Sequence, residues 1–566
     1  MIEQVCITIL PEKEKDEAFI KKALWQELQK KGLSLSEKDL SEKNVHFVFS
    51  KKSIDARHGK VKFVMRYDAY IGEEPPSASD QLPKWKSVKE ADKAGTSACK
   101  TVVIVGSGPA GLFGAFKLLE GGVKPIIIER GSDTKSRKVD IAKISTQGIL
   151  DSDSNYCFGE GGAGTFSDGK LFTRSNKRGN VGQVLRIFNH FGADQSILTD
   201  AHPHIGTDKL PYIINAMRAK ILELGGEFHF NTRCTGFITA EENSNEGTNE
   251  GRNKKIVLKG VKTVNTKSGQ EKDFFSDAVL LASGHSAGDI YELLAKTAPQ
   301  SLEAKTFAAG VRIEHPRQLI DSIQFHGKKM PNAAEYSLTS QQTERGVYTF
   351  CMCPGGFVVP SATESGTIVV NGMSAAKRNS KWSNSAVVVE TRPEDIPQEF
   401  KDMASKKGCP ALAGLYFRSA IEKEAFLQAN KVEGTVTGQK APAQLLTDFL
   451  AHKKTAEEKL PQTSYFPGIS SSRLDQWLPK QMVSRMEKAF REFNTKMKGF
   501  ICKEALLIAP ETRTSTPVRI LRDRKSFECT AIKKLYPAGE GSGYSGGIVS
   551  SAMDGINACA KIQEIL

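Results

Sequence analysis

The stretch KTVVIVGSGPAGLFGAFKLLEGGVKPIIIER, Lys100 to Arg130, constrains the fold more than any other part of this chain. Thr101 to Val105 is a short β-branched run suited to a buried parallel strand, and it breaks at Gly106-Ser107-Gly108-Pro109-Ala110-Gly111, a Gly-x-Gly-x-x-Gly. Gly106 permits a tight turn, Gly108 lets a pyrophosphate approach the backbone, and Gly111 lets the next helix pack closely on the strand. An anion would rest on the helix N-terminus, where unpaired N–H groups and the helix dipole favour negative charge. A second apolar strand, Pro125 to Ile128, ends in Glu129, 18 residues after Gly111 and near the spacing of a ribose-binding acid. Strand, turn, helix, strand and acid in this order predict a Rossmann-like α/β domain that holds a dinucleotide.

At 566 residues the chain is too long for one hydrophobic core. Residues 1–75 read as a small α+β unit: a strand at Val5 to Leu10, a helix at Asp16 to Lys31 with Phe19, Ala23, Leu24 and Leu28 on one face, then strands at His46 to Phe49 and Val61 to Val64. That β-α-β-β order is part of a ferredoxin-like sandwich. Arg57, between the two later strands, is either a recognition residue or a solvated hairpin charge. Residues 76–99 read as a linker, 100–305 as the first part of the dinucleotide domain, 306–499 as an inserted unit of antiparallel strands followed by helices, and 500–566 as the return to the dinucleotide domain. Asn243 to Lys255, rich in Glu, Asn, Gly and Lys, is expected to be a disordered hairpin tip.

Composition narrows the class. No apolar run is long enough to span a membrane, and the acidic N-terminus lacks the pattern of an export signal, so a cytoplasmic protein is expected. Ten cysteines are scattered without metal-ligand spacing, so no metal site is expected. A net charge of +14 raises a nucleic-acid reading, yet Lys and Arg are spread along the chain rather than gathered in one run.

Three further Gly-rich stretches follow strands or helices: CFGEGGAGTFSDGKL at Cys157 to Leu171, SGHSAG at Ser283 to Gly288, and PAGEGSGYSGGI at Pro537 to Ile548. Their density suits backbone that a ligand must approach closely. Taken with GSGPAG they resemble the two-dinucleotide-fold flavoprotein superfamily. More closely, CFGEGGAGTFSDGKL, GVRIEHP, CMCPGGFVVP, APAQ and ETRTSTPVRI resemble the FAD-dependent family labelled NAD(FAD)-utilising dehydrogenases. The resemblance covers about residues 45–566. It implies that Gly106, Gly108, Pro109, Ala110, Gly111, Glu129 and Arg130 bind the ADP half of FAD, and that Gly539, Glu540, Gly546, Gly547 and Ile548 bind the riboflavin half. Gly162, Gly164, Thr165 and Gly284, in the two middle stretches, join the expected cofactor contacts. The superfamily more often has Asp where this chain has Glu540.

Candidates for chemistry are fewer. His285 is either a proton donor or a turn cap, Arg312 and Arg513 either clamp an anionic substrate or form internal salt bridges, and His315, before Pro316, shapes a loop. Cys351 and Cys353 are the only close cysteine pair; neighbouring strand cysteines are expected to point in directions awkward for pairing, so packing is the expected role. No second Gly-x-Gly-x-x-Gly follows the first, so NAD(P)H, if it serves as a transient donor, would use the flavin face in turn with a small-molecule substrate. The expected activity is an FAD-dependent oxidoreductase. The alternatives are an FAD-dependent RNA-modification or RNA-binding protein and a module that uses FAD only structurally.

Overall fold

A computed structural model describes residues 1–31, 44–77, 82–88, 100–173, 176–243, 254–330, 332–430 and 438–566. Its centre is a five-stranded, all-parallel sheet in the order Leu535–Pro537, Ala278–Leu281, Thr101–Val105, Lys124–Ile128, Glu227–His229. Side chains alternate along a strand, and here both faces are covered. Val102, Ile104, Ile127 and Leu280 pack on the helix side with Leu112, Phe116, Met217 and Ala552, whereas Val103, Val105, Val279 and Leu281 pack on the other with Val261, Phe274 and Tyr291. Double-sided burial is why these strands read as continuous apolar runs rather than as alternating ones. The helix side is formed by Pro109–Glu120, Leu210–Glu223 and the C-terminal Ile548–Ile565. The other side carries a meander of Thr232–Asn243, Lys254–Asn265 and Glu271–Phe275. Most of the expected disordered tip, residues 244–253, lies outside the described residues.

The chain leaves this domain at Leu302–Ala304 and returns at Val518–Ile520, and the two segments pair antiparallel as a neck. Beyond the neck stands a seven-stranded sheet in the order Thr339–Ser340, Val347–Cys353, Trp382–Thr391, Phe307–Pro316, Leu506–Glu511, Ala441–Leu445, Ile469–Ser471. All its pairs are antiparallel except the last. Met486, Phe490 and Phe493 of the helix Lys480–Lys496 cover one face against Val311, Ile313, Val387 and Val389. Leu506–Glu511 pairs with Phe307–Pro316, so the inserted sheet takes strands from beyond residue 499. The segment 394–499, expected to be mainly helical, also supplies two strands to it, Ala441–Leu445 and Ile469–Ser471.

At the N-terminus, Ile2–Ile9, Lys62–Ile71 and Val45–Asp55 form an antiparallel sheet in that order, backed by the helix Glu17–Lys30. Asp16 caps that helix through the Phe19 N–H at 3.0 Å. Its buried stripe is Ile20, Leu24 and Leu28 at four-residue intervals, while Phe19, expected inside, is exposed. Arg57 is exposed and paired with Asp55 at 2.8 Å, so it is a solvated hairpin charge. Within the expected linker, residues 82–88 are docked: Trp85 lies 4.7 Å from the Phe116 ring, and the Val88 N–H donates to the Leu224 carbonyl at 2.8 Å. Apolar anchors at Leu82, Trp85 and Val88 explain the docking. Among the described residues no helix is long and apolar enough to cross a membrane, and no group of His, Cys, Asp or Glu is placed to hold a metal.

Candidate cofactor and active site

The carboxyl edge of the parallel sheet opens into a cleft of about 890 Å³ whose far wall is the inserted sheet. At the near end, Gly106 turns the chain with φ +106°, and a Cβ there would lie 2.5 Å from the Ala282 carbonyl oxygen. Gly108 caps the helix Pro109–Glu120 without any side-chain acceptor, so the first N–H groups of the helix remain open to the cleft. The C-terminal helix begins the same way, at Gly547. A Cβ on Gly546 or Gly547 would meet nothing within 4 Å, and on Gly108 only the Gly162 Cα at 3.8 Å. Two helix N-termini more than 400 residues apart in sequence thus open onto one space. Close packing of the two helices makes this possible, since a Cβ on Gly555 would collide with the Ala110 carbonyl oxygen.

All of the expected cofactor contacts line this cleft except two. Gly111 packs instead against Gly106, whose carbonyl oxygen occupies the space a Cβ would need. Thr165 is buried and donates to the Glu160 carbonyl at 2.8 Å. Glu129 reaches the cleft, but its carboxylate accepts from the Ser107 N–H and hydroxyl at 3.0 and 2.7 Å and from the Gly131 and Gly159 N–H groups at 3.0 Å each. It therefore ties the first Gly-rich turn to the second. Arg130 pairs with Asp153 at 2.8 Å and Asp289 at 3.1 Å and lies over the Phe158 ring. Glu540 faces His285, with Oε2 at 3.5 Å from Nδ1.

Sequence reasoning missed the residues that hold these turns in place. Arg137, on the helix Thr134–Gln147, is fully buried and donates to four backbone carbonyls: Asn155 at 2.8 Å, Glu160 and Gly162 at 2.8 Å, and Tyr156 at 3.0 Å. Burial lowers this guanidinium to about 10, because its partners are carbonyl dipoles rather than a paired carboxylate. Asp554, nearly two turns into the C-terminal helix, accepts from the Gly539 N–H at 2.8 Å and from Arg522 at 2.6 Å. Neither residue belongs to a Gly-rich motif, so no local signal marks it.

The candidates for chemistry divide. His285 lines the cleft and its Nε2 lies 2.8 Å from the Arg513 carbonyl oxygen. Arg513 also touches the cleft, but its guanidinium forms a two-point pair with Glu422 at 3.1 and 2.8 Å and donates to Thr363. Arg312 is wholly buried against Glu511 at 2.9 Å, Asn384 at 2.6 Å and Asn371 at 3.2 Å. Both arginines are internal ion pairs, as buried guanidinium requires. His315 is buried away from the cleft; desolvation lowers it to about 4 and its Nε2 meets the Phe500 carbonyl oxygen at 2.8 Å.

Beside the far wall stands a charged set of which Asp168 and Lys170 belong to the second Gly-rich stretch, while Glu335 and Arg378 lie outside any of the sequence motifs. Asp168 and Glu335 both bind Arg378, at 2.7 and 2.6 Å, and Lys170 lies 3.7 Å from Asp168. Around them Tyr336, Tyr348, Phe350 and Phe172 present aromatic surface. Burial alone would raise the Glu335 carboxyl, but the hydrogen bond with His202 and the charges of Arg378 and Lys170 hold it at about 2, against an ordinary 4.5. A carboxylate depressed in the folded state adds stability above its unfolded value and loses it as pH falls toward the folded one. Glu335→Gln is therefore expected to melt below the wild type at neutral pH, with the gap narrowing as the pH drops from 4.5. Melting curves across that range check this, and a constant gap would refute it.

Residues 306–514 match the family model described as "FAD-dependent protein, C-terminal domain-like", and residues 1–70 match a domain of unknown function. An uncharacterized protein of Clostridium beijerinckii is 38% identical over 548 residues, covering 94% of each chain. Among solved structures, CtdE in complex with FAD overlaps at TM-score 0.30 and 9% identity, covering 83% of this chain and 85% of its own. A geranylgeranyl bacteriochlorophyll reductase-like protein of Thermoplasma acidophilum overlaps at TM-score 0.31 and 11% identity, covering 82% and 79%. Scores this low mark only a distant likeness. The chain belongs to the same family as the Clostridium beijerinckii protein, and its residues 306–514 match the FAD-dependent C-terminal domain-like model.

Proposed function

We propose that the protein is an FAD-dependent oxidoreductase that takes a small conjugated substrate, with NAD(P)H as a transient electron donor at the same flavin face. One observation carries the reading: the N-termini of two long helices, at Gly108 and Gly547, open without caps onto a single cleft walled on its far side by aromatic and charged side chains. Oriented N–H groups and glycine backbone suit an anionic dinucleotide at one end and an electron-rich ring at the other. The cleft volume, about 890 Å³, is at the large end for a ligand pocket, as a dinucleotide with room for a second molecule requires.

FAD, when bound, supplies the two-electron chemistry. In this reading Gly106, Gly108, Pro109 and Ala110 receive the pyrophosphate, Arg130 lies beside the adenosine, and Glu540 accepts from the ribityl chain. Gly162, Gly164 and Gly284 leave room for the isoalloxazine, and the N–H groups at Gly547 and Ile548 stabilise negative charge on it, the Gly546 N–H being held by the Ser550 hydroxyl at 3.2 Å. Glu129 acts through the turns it joins. His285, beside Glu540, is placed to hold or deliver a proton at Nδ1, and the Tyr348 and Phe350 side chains stack the substrate.

The test is direct. Purified protein is expected to be yellow, and anaerobic NADH or NADPH is expected to bleach it, with reoxidation by a conjugated acceptor from a metabolite screen. A colourless protein that takes up no added FAD would sink the proposal. Tight binding of one RNA at high salt would favour the nucleic-acid alternative instead.

A further inference from the structure

Two cysteines on the far wall of the cleft do not lie as a regular strand would place them. The strand Val347–Cys353 pairs with Trp382–Thr391 in register up to Phe350 opposite Ala386, then resumes with Cys353 opposite Asn384, so one extra residue is accommodated in a bulge. Cys351 sits in that bulge with φ +52°, a left-handed conformation uncommon for a residue with a side chain. Residues two apart in an extended strand are separated by about 7 Å between Cα atoms, at the limit for a disulfide; the kink shortens that span. As a result the Cys353 thiol folds back and donates to the Cys351 carbonyl oxygen at 3.4 Å, on the side of the strand where Cys351 lies. The bulge removes the regular strand alternation on which the expected awkward directions of these cysteines rest.

Their surroundings are polar and cationic. Lys170 donates to the Met352 carbonyl, and Arg312 reaches the Cys351 carbonyl at 3.5 Å. Asp168, Glu335 and Glu511 neutralise those cations in part, and Asn371 and Asn384 complete the wall. Cys351 and Met352 face the cleft while Cys353 is fully buried behind them. Interaction with the Cys353 side chain, with help from Lys170 and Arg312, lowers the Cys351 thiol, and the same interaction raises that of Cys353. A half-buried sulfur on the cleft wall with a buried thiol two residues further along the bulge is the arrangement of an attacking and a resolving cysteine.

We infer that Cys351 and Cys353 form a dithiol–disulfide couple that exchanges two electrons with the flavin of the same cleft. The inference rests on the proposed binding of flavin there. In the reductive direction, the S–S bond accepts a hydride equivalent from anionic reduced flavin and breaks. Cys351 leaves as thiolate, Cys353 takes the proton, and the flavin returns to its oxidised form. The reduced nicotinamide dinucleotide restores the reduced flavin. A ring closed by only two intervening peptide units is strained, so its disulfide is easily reduced and suited to turnover rather than to a structural role.

The test uses the holoprotein as purified. Anaerobic titration with dithionite is expected to consume twice the electrons per flavin that Cys353→Ser consumes. Alkylation of the air-oxidised protein before digestion is expected to leave the peptide with Cys351 and Cys353 unmodified and lighter by two hydrogens. Flavin absorbance confirms that the variant is folded, and the wild-type peptide needs no variant. Electron uptake accounted for by flavin alone, with both thiols alkylated in the oxidised protein, would overturn the couple. A protein without flavin would refute the functional reading separately, since the thiol state of the peptide is read either way; both thiols free after treatment with diamide would then overturn the couple as well.

Discussion

Arg137→Met is expected to lower stability by about 3–5 kcal/mol and to cost the protein its flavin. The methionine retains much of the aliphatic stem, so the change removes the guanidinium with little loss of packing. What remains is the Asn155 and Tyr156 carbonyls stripped of the Arg137 donor, and those of Glu160 and Gly162 held only by Thr165. A hydrogen bond from a charged group contributes about 1.5–3 kcal/mol, and a buried acceptor left unpaired costs about 1–3. The segment they belong to carries Gly159 and Gly162 at positive φ, a conformation that does not hold itself. Its collapse would also release Glu129, which reaches Gly159 from the other side. Arg137→Lys, with one point charge in place of a planar fork, is expected to recover only part of the loss. Denaturant melts and the flavin-to-protein absorbance ratio decide the matter; wild-type stability and flavin content in Arg137→Met would show that the second Gly-rich turn stands without this residue.

Gly547→Asp is expected to move folding and binding in opposite directions. The backbone there is extended, with φ 166°, and a Cβ meets nothing within 4 Å, so aspartate fits without strain. A carboxylate at a helix N-cap is favourable, because it accepts from free N–H groups and faces the positive end of the dipole. The apoprotein should therefore melt at or slightly above the wild-type temperature. The same carboxylate would take the N–H groups offered to the cofactor and set a negative charge about 6 Å from electron-rich ring atoms. At an effective dielectric near 20 two full charges at that separation repel by about 2–3 kcal/mol, which applies to the anionic reduced flavin; the oxidised ring carries only partial charge, so its affinity is expected to fall by about tenfold. Because the reduced flavin carries more negative charge than the oxidised form, any residual holoprotein should also have a more negative reduction potential. Titration of apoprotein with FAD and a potential measured against a reference dye test both halves. Unchanged affinity and potential would mean that the C-terminal helix does not face the flavin.

Much of this architecture is legible in the chain because its signals are local. Thr101 to Val105 must be buried on both faces to be so apolar, and Gly106, Gly108 and Gly111 meet demands of turn, approach and packing that arise within a dozen residues. The terminal stretch from Gly539 to Ile548 is of the same kind. The N-terminal β-α-β-β order likewise follows from periodicity, though the helix face is centred one residue away, on Ile20 rather than Phe19.

What the tertiary structure alone decided is how buried charge is used. Arg312 and Arg513 look in sequence like anion clamps, but their partners Glu511 and Glu422 stand 199 and 91 residues away and leave no guanidinium free for a substrate. Arg137 has the opposite history: unremarkable on its helix, it becomes the anchor of a turn because folding closes four carbonyls around it. The backbone at Cys351 is bent by a bulge whose register is set by the facing strand, not by the local sequence. Local sequence determines backbone conformation through sterics that act over a few residues. The state of a buried ionisable group depends on whichever partner the fold brings within hydrogen-bond distance, and that is fixed only when distant segments pack.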